Sequence, residues 1–198
     1  MCLNLALSKT TTPPTSGNRE RLVSFIRNFS GWRNCDKISL PHLIRYLELV
    51  PSPEYSSVRE YAFSKIDTWT PGIFTSIDND IEYNDIKGRW PKNTQKPIEN
   101  IQLDHIQHVQ LFYNYRNGLI HELRERGYGM EIGMDTEPYY HTMKDGDNVT
   151  WELVYPVGFY KIICETALEK LKVYYINNRI NPYNHFSFGT YWLDEFNY

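Results

Sequence analysis

Residues 100–127, NIQLDHIQHVQLFYNYRNGLIHELRERG, decide how the fold is read. Ile101, Leu103, Ile106, Val109, Phe112, Tyr113, Leu119, Ile120 and Leu123 recur with a helical period. Asn100 stands where a start cap belongs, and Asp104 falls in the first turn. Arg124 and Arg126 fall in the last turn and Gly127 follows it, as helix ends require. The spacing predicts a helix over about 101–126. Gly118 in its interior costs roughly 1 kcal/mol against alanine, so another backbone or a ligand is expected close to it.

Within this helix lies Arg116-Asn117-Gly118-Leu119-Ile120-His121. A guanidinium can hold a phosphate and an imidazole can move a proton, which is most of what cleaving RNA without a metal requires. Asn117 and His121 are four apart and share a face of an α-helix. Arg116 and His121 are five apart and diverge by roughly 140°. A compact site then needs a bent arginine or a second copy of the helix packed antiparallel about a two-fold axis. By chance, an arginine five before a histidine is expected about 0.3 times at this composition, and an asparagine after the arginine lowers that to about 0.03. The rival reading of the same residues is a buried structural polar cluster.

The segment Tyr115-Arg116-Asn117-Gly118-Leu119-Ile120-His121-Glu122 resembles the signature of the HEPN superfamily: an arginine, a polar residue, often asparagine, and then a histidine. The resemblance covers roughly residues 100–178 and is similar to plasmid- and defence-associated members. It implies an all-α bundle that dimerises through the motif helix. It also implies, in many members, a metal-independent endoribonuclease of defence, toxin or RNA-processing systems; other members are binding modules without activity. The subgroup paired with a nucleotidyltransferase antitoxin carries a tyrosine two positions after the histidine. Here that position is Leu123, so nucleotidylation of such a tyrosine is not implied.

At 198 residues the chain suits one domain with a core of its own. Its 16 tyrosines are read as core or interface residues with one polar tip more than as base-stacking platforms. A net charge of −3 argues against a large basic nucleic-acid surface but permits a small pocket where a few arginines act locally. Cys2, Cys35 and Cys164 are odd in number and scattered, matching neither a disulfide framework nor a metal pattern. Reduced thiols in a cytoplasm are the simplest reading. No secretory signal and no apolar run of roughly 20 residues is read, so no membrane span is expected.

Residues 1–17 read as a flexible arm, and 18–198 as a single HEPN-like domain. Leu22, Val23, Ile26 and Phe29 mark a first helix. Ser39 is expected to cap a second, with Pro41 in its first turn. A third runs near Glu54 to Trp69. Residues 71–97 are ambiguous, with Ile73, Phe74, Ile77, Ile81 and Ile86 hinting at one more helix. After Gly127 the period changes to alternation at Met130, Ile132 and Met134 and at Val149, Trp151, Leu153 and Tyr155. Asp145-Gly146-Asp147 supplies a turn. A small antiparallel insert of two or three strands is expected over about 129–155, then a long helix opened by Pro156. The aromatic C-terminal tail, through Tyr191, Trp192 and Tyr198, is too apolar to be free and is expected to pack. The fold class is mainly α, a helical bundle with a β insert.

Other constellations are weaker. His105 and His108, with Asp104, offer two histidines without a third ligand and read as solvated helix polars. His141 falls in an expected strand and can face solvent or the site. His42 and His185 show no partner in sequence. Glu122 and Glu125 read as ion-pair partners of Arg126 and Arg124.

The leading expectation is a homodimeric, metal-independent ribonuclease of HEPN type. His121, of a residue type titrating near 6.5, takes the proton of a ribose 2′-hydroxyl, and Arg116 stabilises the phosphate. Asn117 orients either one. Tyr113 and Arg124 are the expected substrate-binding residues. No cofactor and no metal are expected. The partners are a second copy through the 101–126 helix and the RNA substrate; an antitoxin or regulatory protein is left open. The alternative is a non-catalytic dimer of the same type that binds RNA, a nucleotide or a protein.

Overall fold

A computed structural model describes residues 8, 10–13, 15–91, 101–124, 126–133, 135–146 and 148–185. The expected cap Asn100, the strand residue Met134, Glu125 and the aromatic tail lie outside them, as does the side chain of His185. Two compact units form, one within 1–31 and 164–198 and the other within 32–163.

The first unit holds helix α1 (Asn18–Phe29) and most of the last helix. Leu22, Val23, Phe25, Ile26 and Phe29 are buried, the face that the apolar spacing predicts. Phe25 and Phe29 pack with Ala167 and Leu171, and Tyr174 meets Phe29 edge-on. Full burial of such side chains stabilises by about 1.5–3 kcal/mol each. Of the arm read as flexible, Ser8 and Thr10 are buried, and Thr10 Oγ1 is hydrogen-bonded to Tyr175 Oη.

The second unit carries α2 (Leu40–Leu49), α3 (Ser56–Ile66), strand β1 (Thr75–Ser76), α4 (Tyr83–Arg89), α5 (His108–Asn117), and strands β2 (Tyr139–Asp145) and β3 (Asn148–Val154). It also holds the start of α6 (Val157–Asn178). Ambiguous residues 71–97 thus contribute a strand as well as a helix. The sheet is antiparallel in the order β1-β2-β3, with Thr75 opposite Tyr140 and Tyr140 opposite Leu153. Asp145 pairs with Asn148, so the hairpin closes in two residues, with Gly146 at φ 61°. Met130 and Ile132, expected in a strand, lie outside the sheet; Tyr139 Oη and His141 Nε2 take up backbone groups of this stretch instead.

The core of this unit is aromatic. Trp32 is met edge-on by Phe112, Tyr155 and Phe159, with centroids 4.9–6.0 Å apart. Residues 35–39 are pinned to two distant segments. Ile38 N–H donates to Ile81 C=O (2.8 Å), Ser39 N–H to Ile106 C=O (3.1 Å) and Val109 N–H to Cys35 C=O (2.8 Å). This clamp brings Ser39, Asp80 and His108 together. Among the described residues, no helix is long and apolar enough to cross a membrane.

Candidate functional site

The helix expected over 101–126 is not continuous. Leu103–Ile106 form a 3-10 turn closed by a capping box between Gln102 and His105, and Gln107 is extended. The α-helix begins only at His108. The interruption has a cause: the His108 and Val109 N–H groups are drawn onto the carbonyls of Lys37 and Cys35. From Gly118 to Glu122 the backbone widens into a π turn. The helix then stops at Leu123, whose φ of 53° is left-handed, four residues before the glycine expected to end it. For a residue with a Cβ that conformation costs roughly 1–2 kcal/mol.

The π turn changes the relation between the motif residues. In α-winding, residues five apart diverge widely; a π turn closes at five residues and narrows that angle. Arg116 is buried at 6% exposure, whereas His121 is exposed. One Arg116 Nη donates to Asn117 Oδ1 (2.9 Å), and Nε is buried with no acceptor among the described residues. No ion pair or hydrogen bond joins Arg116 to a carboxylate or to His121 among the described residues. Gly118 is buried under the returning chain. A Cβ there would meet the Arg124 carbonyl oxygen and the Arg126 side chain at 3.0–3.1 Å. The close approach expected at this glycine is therefore the protein's own backbone. Glu122 is paired with Arg124 (2.8 Å) and also with Arg126. Arg124, expected to bind substrate, is thus engaged by a carboxylate. Tyr113 is half-buried on α5.

Beside the motif lies a cavity of about 1150 Å³. His42, Tyr115, Asn117, Arg126, Trp151 and Tyr155 contribute to its wall; Arg116, His121, Tyr113 and Arg124 do not. Asn117 is thus the candidate residue that touches both the motif and the cavity.

Behind the cavity is a polar network that sequence reasoning missed. Asp80 is buried and accepts three hydrogen bonds: from His108 Nε2 (2.6 Å), Tyr140 Oη (2.8 Å) and the Leu40 N–H (2.7 Å). Tyr155 Oη donates to the His108 carbonyl (3.1 Å) and lies 3.0 Å from His108 Nδ1. Tyr155 thus meets both the backbone and the ring of His108. Ser39 Oγ lies 2.7 Å from both Tyr140 Oη and His42 Nδ1. The serine expected to cap α2 makes no side-chain cap bond and serves this chain instead.

Burial, and next the charge on His108, hold the His42 imidazole down at about 4, against weaker opposing pulls from Asp80 and Glu152. The residue is half-buried and lines the cavity. Burial, then the Asp80 carboxylate, push the Tyr140 phenol well above its ordinary value.

The reading of His108 as a solvated helix polar is therefore overturned: its side chain is fully buried. A signal existed. His108, Phe112 and Tyr115 are spaced four and three apart and form one buried stripe. Nothing in sequence marked Asp80, which sits in the polar run Asp78-Asn79-Asp80. His105 bonds the Gln102 N–H, and His141 is buried and accepts from the Met130 N–H (2.9 Å). No group of three or more metal-ligating side chains is assembled among the described residues. No protein-family model, curated protein or solved structure matches this chain.

Proposed function

We propose that the chain is a metal-independent endoribonuclease of HEPN type, working as a two-fold dimer across the motif helix. The observation that carries the reading is a buried arginine that no carboxylate neutralises among the described residues, next to a π turn that carries an exposed histidine. A buried N–H without an acceptor costs roughly 1–3 kcal/mol, and a phosphate oxygen is an acceptor that would relieve it. Single π turns and left-handed non-glycine residues concentrate at functional sites; here both occur within six residues. The side chains of Leu123, Tyr128, Met130 and Ile132, which follow the motif in sequence, are exposed and supply apolar surface for a second copy.

His121 takes the proton of the 2′-hydroxyl. The 2′-oxygen bonds to phosphorus as the bond from phosphorus to the 5′-oxygen breaks, and the second copy's His121 in its protonated form gives a proton to that oxygen. Arg116 stabilises the charge on the phosphoryl oxygens, and Asn117 holds the guanidinium in place. The products are a 2′,3′-cyclic phosphate and a 5′-hydroxyl end. The second reading is a non-catalytic dimer that binds RNA, a nucleotide or a protein; the burial of Arg116 and its bond to Asn117 favour it.

The test is incubation of purified protein with single-stranded RNA in EDTA. Cleavage is expected to leave cyclic phosphate ends. His121→Ala and Arg116→Ala are each expected to lose at least about a hundredfold. DNA lacks the attacking hydroxyl and stays intact. Full activity in His121→Ala would refute the mechanism, and absence of any cleavage by the intact protein would leave the binding reading.

A further inference from the structure

The motif supplies a cation and a proton-transfer group but leaves the adjoining cavity unused. At about 1150 Å³ the cavity exceeds the roughly 300–1,000 Å³ typical of a site for one small ligand. Its wall carries the aromatic rings of Trp151 and the exposed Tyr128 and the cations Arg45 and Lys144, with the carboxylates Glu152 and Glu48 among them, the latter 3.9 Å from Arg45. That pairing of flat rings with positive charge suits a single nucleic-acid strand, whose bases stack and whose phosphates are anionic. Asn117 belongs to both the cavity and the motif, so a strand held at the motif has a base within reach of the cavity.

His42 adds selectivity, and the order of protons behind it says how. Asp80 only accepts, so the Tyr140 hydroxyl spends its single proton on it. Ser39 must then donate to Tyr140 and accept from His42 Nδ1–H. His42 Nε2 is left as the unprotonated nitrogen of a ring that lines the cavity. The low proton affinity that burial imposes on this ring keeps it in that form at neutral pH.

We propose that this cavity seats a base of the RNA strand, and that His42 selects the base by accepting an N–H from its Watson–Crick edge. The strand's identity as RNA rests on the ribonuclease reading above; the acceptor and the ring-lined cavity do not. Asp80, Tyr140 and Ser39 are positioning residues that fix which nitrogen of His42 is the acceptor.

The experiment uses the full chain carrying His121→Ala, so that bound RNA survives. Fluorescently labelled ten-nucleotide oligomers of A, C, G and U are titrated, with binding read by anisotropy. The tightest and weakest oligomers are expected to differ at least tenfold in Kd, the scale of one well-placed hydrogen bond. Adding His42→Ala is expected to shrink that ratio to below about threefold. His42→Phe keeps a ring without the acceptor and replaces the alanine variant if the latter does not fold. Equal binding of all four oligomers, no binding, or a ratio that survives loss of His42 overturns the proposal. Cleavage by the intact protein is measured alongside. Discrimination that depends on His42 without cleavage supports the subsite and sinks the ribonuclease reading. Cleavage with base preference indifferent to His42 sinks the subsite and leaves the ribonuclease standing.

Discussion

Replacing Asp80 by alanine tests the buried network most directly. Its carboxylate is inaccessible to solvent, as is its partner His108. Removing the carboxylate leaves the buried His108 ring nitrogen without its 2.6 Å partner. The Tyr140 hydroxyl and the Leu40 N–H lose their acceptor at the same time, and each stranded group costs roughly 1–3 kcal/mol. These losses overlap, since one relaxation or one water can relieve several of them. The expected total is therefore about 5 kcal/mol, comparable with the whole stability of a marginal domain. Asp80→Asn keeps the shape and an acceptor for Leu40, and its amide can donate to Tyr140 or to a neutral His108. It is expected to cost only about 1–3 kcal/mol. Urea unfolding followed by tryptophan fluorescence suits the measurement, because Trp32, Trp69, Trp90 and Trp151 all lie in the 32–163 unit. A loss below about 1 kcal/mol for Asp80→Ala, or equal losses for the two variants, would refute the view that a buried charge organises this unit.

Acid should destabilise the protein through His42. Its folded value of about 4 lies below the unfolded 6.5, so the unfolded chain binds the extra proton between these limits. Stability contributed by this group is intact above pH 6.5 and falls through the window to about pH 4, by a total on the order of 3 kcal/mol. Urea midpoints measured across pH 4–7 check this, and His42→Phe should flatten that part of the profile. Gly118→Val is expected to displace the Arg124 carbonyl and the Arg126 side chain that crowd this glycine. RNA cleavage should fall at least tenfold while Tm drops by only a few degrees; undiminished cleavage would mean that the π turn has no part in the site.

Much of the helical layout was legible because burial on one side of a helix writes a period into the chain. Helices α1, α2, α3 and α6 follow the apolar spacing, and Pro41, Pro53 and Pro156 stand near the starts of the last three. The two-residue hairpin follows Gly146. Where sequence misled, a distant partner outbid the local pattern. The motif helix is interrupted because Lys37 and Cys35 take the first N–H groups of α5. The third strand comes from residues 75–76, since pairing with Tyr139 and Tyr140 decides its place and two residues carry no alternation to read.

The candidate site divides in the same way. Arg116, Asn117 and His121 were visible because chemistry-bearing residues stand close together along one helix. Local sequence thus determined the motif, the helical class and the hairpin. Only the tertiary structure joined Ser39, His42, Asp80, His108, Tyr140 and Tyr155, which are scattered over more than a hundred residues. Hydrogen bonding there depends on distance in space, and no periodicity along a chain encodes which buried acid will meet which buried histidine.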